Sequence, residues 1–171
     1  KKPLEDVIWE NYSDTVVYGK YKNQLFKYNF SNNQSDLYDK NYNWQTIQPL
    51  NDVFIGIHRE KEKMFLSLVE GKTVKDLMTI PTDESYEINI LSNNYILLIN
   101  KSLNVAYMID PKNSDNPLQA YVTNIKKFSW LNDSLLYWND HEINVYHVPS
   151  KTKQTIERTS EKINNVSWHN G

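Results

Sequence analysis

Short apolar runs of four to six residues alternate along the chain with turns rich in Asn, Asp, Ser and Pro, and inside many runs the character changes every second residue. Such a period of two belongs to strands, whose side chains point alternately to opposite faces. Apolar residues at i, i+3, i+4 and i+7 are sustained over three turns in no window, so amphipathic helices are not predicted. In the region 127–159 the pattern predicts strands over 127–130, 135–138, 143–148 and 154–159. Their connectors are Leu131-Asn132-Asp133, Asn139-Asp140-His141-Glu142 and Pro149-Ser150-Lys151-Thr152-Lys153. Asn and Asp tolerate left-handed turn conformations, and Pro149 cannot donate to a ladder. The start of the chain reads alike, with strands over 7–9, 15–19, 24–30 and 35–38 and a hairpin at 20–23.

The pattern also repeats. Ser13-Asp14, Asn51-Asp52, Asn93-Asn94 and Asn132-Asp133 each precede an apolar run, at spacings of 38, 42 and 39 residues. The next apolar run starts at Leu25, Met64, Val105 and Ile143, at spacings of 39, 41 and 38, so the two anchors keep step. Trp130 and Trp168 lie 38 apart and close similar runs, Lys127-Phe128-Ser129-Trp130 and Asn165-Val166-Ser167-Trp168. Trp9, in Val7-Ile8-Trp9, takes the same place in the first unit. Four strands per period of about 40 match the blade of a β-propeller, in which antiparallel meanders stack on their neighbours. A β-sandwich also has many short strands, but it predicts no motif at constant spacing. The expectation is an all-β propeller segment of about four four-stranded antiparallel blades, near 7–43, 44–85, 86–125 and 126–162, with the opening strand of a fifth at 163–171. A fifth opening strand argues for a larger ring of which this is a piece.

Composition narrows the function classes. The 171 residues carry 19 Lys+Arg against 21 Asp+Glu, a net charge of −2, which excludes a strongly basic nucleic-acid binder. Aromatic residues make up 13%, too many for a disordered chain. Four scattered Gly provide no phosphate cradle, and zero Cys excludes disulfides, thiolate zinc sites and cysteine nucleophiles. The longest apolar stretch, Tyr95-Ile96-Leu97-Leu98-Ile99, is about a quarter of a membrane-spanning helix. Neither nucleic-acid nor membrane contact is expected of this segment, and no cofactor.

The run Phe128-Ser129-Trp130-Leu131-Asn132-Asp133-Ser134-Leu135-Leu136-Tyr137-Trp138, continued by Glu142-Ile143-Asn144-Val145-Tyr146, resembles the blade core of bacterial TolB-like and WD40-like propellers. It is also similar to the propeller region of PEGA-domain envelope proteins, and residues 155–169 fit the same group. The resemblance covers 127–171 best. No Trp-Asp dipeptide closes a blade and no Gly-His opens one, a departure from the eukaryotic WD40 pattern. The resemblance implies an extracytoplasmic, membrane-tethered protein whose propeller binds something, and it brings no catalytic residues with it.

Candidate chemistry is sparse. Of the four His, His141 and His147 share one hairpin six residues apart, and no i, i+2 or i, i+4 pairing with a carboxylate forms a recognisable metal site, so all four read as surface or turn residues. A Gly-x-Ser-x-Gly elbow is absent. The segment Asp110-Pro111-Lys112-Asn113-Ser114-Asp115 offers oxygen ligands, but it lacks the central Gly and distal Glu of a calcium loop and reads as a solvated connector. Tyr38, Tyr42 and Trp44 crowd the junction of the first two blades and are candidate binding residues if exposed, but the place of Trp44 near an opening strand, as with Trp9 and Trp130, favours packing of blade on blade. Arg59-Glu60-Lys61-Glu62-Lys63 reads as a charged hairpin tip. The expected contact surface is one end of the blades, formed by the loops 20–23, 59–63, 101–104 and 139–142 with the blade connectors, and His141 is its candidate residue. The function expected is a non-catalytic binding or scaffold module with a protein or small-ligand partner. Its rival is an accessory propeller that gates a hydrolase, as in prolyl-peptidase-like enzymes.

Overall fold

The computed structural model describes residues 7–12, 16–21, 24–37, 42–50, 53–71, 73–82, 84–113 and 115–167. They form sixteen strands in four four-stranded antiparallel sheets, each a meander in sequence order. The first sheet holds β1 (Val7–Tyr12), β2 (Val16–Tyr21), β3 (Gln24–Asn29) and β4 (Gln34–Leu37). The second holds β5 (Asn43–Leu50), β6 (Val53–Glu60), β7 (Lys63–Glu70) and β8 (Thr73–Ile80). In the third are β9 (Tyr86–Ile90), β10 (Ile96–Asn100), β11 (Val105–Ile109) and β12 (Leu118–Thr123). The fourth has β13 (Lys127–Leu131), β14 (Ser134–Trp138), β15 (Glu142–His147) and β16 (Thr152–Arg158). Helical structure among the described residues is limited to one 3-10 turn, Ser92–Asn94.

The turns form where the sequence supplies residues for them. Left-handed φ angles of 49 to 65° occur at Asn33, Asn94, Asn104, Asn124, Asn132 and Asp133, residue types whose side chains ease that conformation. Leu131 pairs with Ser134 across Asn132-Asp133, so the β13–β14 hairpin closes through two residues of positive φ, the turn whose twist matches that of the strands.

The chain divides into two compact units, Lys1–Asp83 and Glu84–Gly171, with two sheets each. In the first, β5 packs against β1, β2 and β3, and Leu25, Trp44, Ile47, Phe54 and Val69 form a buried cluster. A bulge follows Trp9 in β1 and Trp44 in β5, so the first strand of both sheets changes register just after its Trp. In the second unit Leu97, Met108 and Val122 of the third sheet share a buried cluster with Leu135, Tyr137 and Tyr146 of the fourth. Each such aliphatic side chain is worth about 1.5–3 kcal/mol of burial. Neither sheet could hide this surface alone.

The segment expected to open a fifth blade, 163–168, joins no ladder among its described residues. A strand needs a neighbour for its N–H and C=O groups, and none of the four sheets supplies one to this segment. The segment is instead tied to the fourth sheet, with Ile163 N donating to Asp140 O at 2.8 Å and Lys127 Nζ to Asn164 O at 2.9 Å.

Candidate functional site

Three polar side chains meet on one face of the second sheet. His58 lies in mid-β6, Ser67 in β7 and Asp76 in β8, and the ladder sets Ser67 directly beside Asp76. Ser67 Oγ donates to Asp76 Oδ1 at 2.7 Å, and His58 Nε2 lies 3.1 Å from the same oxygen. His58 and Ser67 are fully buried. The imidazole is enclosed by aromatic rings, stacked on Phe65 at 5.3 Å and edge-on to Tyr42 at 4.5 Å and Trp44 at 5.1 Å. The sequence-based reading of His58 as a surface or turn residue is therefore corrected. Its place between Ile57 and the charged end of β6 gave no hint that the ladder would aim it inward.

Ser, His and Asp together invite comparison with a hydrolytic triad, but the wiring differs. In such a triad the serine hydroxyl bonds to the imidazole, which takes its proton. Here both the hydroxyl and the imidazole converge on the carboxylate, and the hydroxyl is sealed from solvent. The cluster ties three strands together across a bulge at Leu77, where Leu66 pairs with Met78 and Ser67 with Asp76.

The fourth sheet repeats the place with different chemistry. Asn144 of β15 pairs with Thr155 across a bulge at Ile156, and Asn144 Oδ1 accepts from Thr155 Oγ1 at 2.9 Å. Asn144 is 1% exposed. A hydrogen bond from Asn144, with help from Arg158, whose Nε lies 3.2 Å from Oε2, holds the Glu142 carboxyl below its ordinary range. The third sheet bulges at Gln119 and places Ile109 against Leu118 there, without a polar pair.

Glu142 leads to a cleft among the loops 101–104 and 139–142, both named in the sequence reading as parts of a contact surface. The hairpin 139–142 is held by Asn139, whose Oδ1 accepts from the backbone N–H of His141 at 2.8 Å and of Glu142 at 2.9 Å. Thr159 N donates to His141 O at 3.0 Å, which fixes the hairpin against the residues after β16. Lys126 Nζ donates to Asp140 Oδ2 at 2.5 Å, and that bond keeps the Asp140 carboxyl below its ordinary range. Around these groups lies a cleft of about 520 Å³, closed by Asn104, Asn124, Arg158 and Thr159. Its lining joins a hairpin tip, a sheet-to-sheet connector and the loop between β10 and β11, so several chain segments face one space. Charges there are paired, Lys126 with Asp140 and Arg158 with Glu142.

Of the residues singled out from sequence, His141 is exposed on the rim of this cleft. Trp44 is 3% exposed and belongs to the core, with Tyr42 half-buried against it at 5.5 Å between ring centroids. Those two rings pack sheet on sheet and do not form an exposed platform. Tyr38 lies outside the described residues, as does His169. His147 sits in β15 with Nδ1 2.7 Å from Ser150 Oγ. In the oxygen-rich loop, Asp110 Oδ1 accepts from Lys112 N at 3.0 Å and Asn113 Oδ1 from Asn116 N at 3.2 Å, the bonds of ordinary turns. Among the described residues no three metal-ligating side chains gather.

No protein-family model matches the chain, and no curated protein matches it. Solved structures do. Hsv2 of Kluyveromyces lactis with a complete loop 6CD superposes with a TM-score of 0.55 at 13% identity, over 92% of this chain and 52% of that one. A second structure of Kluyveromyces lactis Hsv2 gives 0.53 at 14% identity, over 89% and 49%. Hsv2 of Kluyveromyces marxianus gives 0.51 at 13%, over 85% and 50%. The chain thus spans about half the length of the structures it matches, and at such identities the likeness concerns the fold alone. Hsv2 is a seven-bladed β-propeller, and the chain has a β-propeller fold built from four four-stranded antiparallel sheets.

Proposed function

We propose that this chain is a non-catalytic propeller module that binds a protein partner through the loop end carrying the cleft at 139–142. The observation that supports this most is the convergence of the β14–β15 hairpin, the connector 124–126 and the β10–β11 loop on one polar space of about 520 Å³. Loops set on rigid sheets are where binding residues concentrate. The burial of the Ser67 hydroxyl and its bonding to Asp76 support the non-catalytic reading, because a nucleophile must reach substrate and face a base. The blade core at 128–146 supports kinship with TolB-like propellers, and with it an extracytoplasmic setting in a bacterial envelope protein of the PEGA-domain kind.

The test is selection of a random-peptide display library on the immobilised 171-residue chain, followed by hydrogen-exchange mapping with the selected peptides. Enriched peptides that protect 124–126 and 139–142 bear the proposal out. A failure to enrich any sequence, or protection confined to the outer strands, overturns it.

A further inference from the structure

A second cleft, of about 590 Å³, adjoins the first and shares Asn104 and Lys126 with it. Its wall is apolar, built from Ile99, Ile125, Phe128 and Trp138, and its rim carries Lys101, Lys126 and Lys127 against one acid, Glu87. Three cations stand here against Glu87 and, beside Lys126, Asp140, in a chain whose net charge is −2. Two of the three lysines are only loosely committed. Lys101 is paired with Glu87 and Lys126 with Asp140, and their side chains are 74% and 47% exposed. Exposed pairs of this kind are worth about 0–1 kcal/mol, so an incoming carboxylate replaces the internal partner at little cost. Lys127 donates to the neutral carbonyl of Asn164 and forms no ion pair among the described residues.

The wall adds a further sign. Phe128 is half-buried and Ile125 is 2% exposed, so an apolar side chain that enters meets a packed surface.

We infer that this cleft takes an acidic peptide segment of the partner, with one apolar side chain against Phe128 and carboxylates on Lys101, Lys126 and Lys127. The inference rests on the binding-module reading and names the chemistry of its partner. An apolar anchor ringed by charge is how small interfaces gain both affinity and selectivity.

Fluorescence anisotropy tests it with a fluorescein-labelled peptide in which a Phe-Leu pair is flanked by glutamates. One twin has glutamine for every glutamate, and another has Gly-Ser for Phe-Leu. Saturable binding of the first peptide is expected, weakened at least tenfold in either twin and falling steeply with salt. Lys126→Gln with Lys127→Gln weakens it at least tenfold. Lys112→Gln with Lys151→Gln, the same charge loss away from the cleft, leaves it within twofold, and circular dichroism verifies that each variant is folded. Binding only at millimolar peptide, equal binding of the glutamine twin, or equal loss in the two lysine pairs overturns the inference. The display selection separates the two readings. Neutral or basic peptides that map to this end sink the acidic-partner inference and leave the module standing, and an empty selection sinks both.

Discussion

Gly56→Ala adds one methyl group and should cost about 2 kcal/mol. Gly56 lies in mid-β6 opposite Ile47, and a Cβ built there would stand 2.7 Å from Trp44 Cζ3, 2.8 Å from Cε3 and 3.0 Å from Ile47 Cγ2. Carbon atoms in contact prefer about 3.5–4.0 Å, so the indole has to retreat by nearly an ångström. A ring cannot bend away as a long side chain does, and Tyr42 and His58 lie against this one at 5.5 and 5.1 Å between centroids. Overpacking a formed core costs about 1–3 kcal/mol, and a site walled by rings belongs at the upper end. Against this stands a gain of about 0.4–1 kcal/mol, because alanine has less freedom to lose on folding. Urea unfolding followed by far-ultraviolet circular dichroism measures the net loss. Trp44→Leu opens the space, so in that background Gly56→Ala should be close to neutral, a coupling well above the roughly 0.5 kcal/mol scatter of independent sites. An alanine variant as stable as the parent, or additive effects in the double variant, would refute the claim that the indole lies on the bare backbone of β6.

Asp76→Ala should destabilise the chain by about 2 kcal/mol, because it leaves the buried Ser67 hydroxyl and His58 Nε2 without their shared acceptor. Ser67→Ala removes one bond only and should cost about 1 kcal/mol in the same urea titration. Asp140 and Glu142 titrate below their ordinary values of 3.8 and 4.5, so their contribution to stability is present above about pH 4.5 and is lost as the pH falls through the lowered values. Melting curves from pH 6 to pH 2.5 should therefore show an acid-side decline that is shallower in Asp140→Asn/Glu142→Gln, and an unchanged slope would contradict the pairing. Lys61 holds φ 54° at the tip between β6 and β7, so Lys61→Gly should raise the melting temperature slightly, relief of about 1–2 kcal/mol being partly offset by chain entropy.

The strand and turn pattern was legible because it is local. Asn132-Asp133 names its own turn, and the alternation before it and the apolar run after it name the strands, as β13 and β14 bear out. The position of Trp44 was half legible, since its place near an opening strand, as with Trp9 and Trp130, favoured packing between blades without giving the direction of the ring. That direction depends on the bulge between Trp44 and Thr46, which turns the ring onto Gly56, and a bulge leaves little trace in the order of residues. The cluster of His58, Ser67 and Asp76 was missed for a related reason. Its members lie nine and eighteen residues apart on three strands, and only the ladder register brings them together. A signal existed in Ser67, a lone hydroxyl inside the apolar run Phe65-Leu66-Ser67-Leu68-Val69, whose burial required a partner on a neighbouring strand. The loop 101–104 was among the expected contact loops, but its Lys101 was not joined to Lys126 and Lys127, which lie in the next sheet's connector and at the start of β13.

The bulges between third and fourth strands explain why the repeat is regular in backbone but not in chemistry. Each inserts one residue in the fourth strand, Leu77, Gln119 or Ile156, and thereby sets the pair beside it, Ser67 with Asp76, Ile109 with Leu118 and Asn144 with Thr155. A polar pair at that place has to be complete, since a buried hydroxyl or amide without a partner costs more than an apolar pair of similar size. The three sheets meet this condition in three ways, with a carboxylate acceptor, with none needed, and with an amide that also reaches Glu142. Only the last is connected to the cleft, because Asn144 and Arg158 together fix the carboxylate beside His141. The internal clamp of the fourth sheet thereby also sets part of the surface proposed to meet a partner. Divergence between repeats at a buried position has become a difference at the loop end, which is how a fold of near-identical units comes to have one distinctive site.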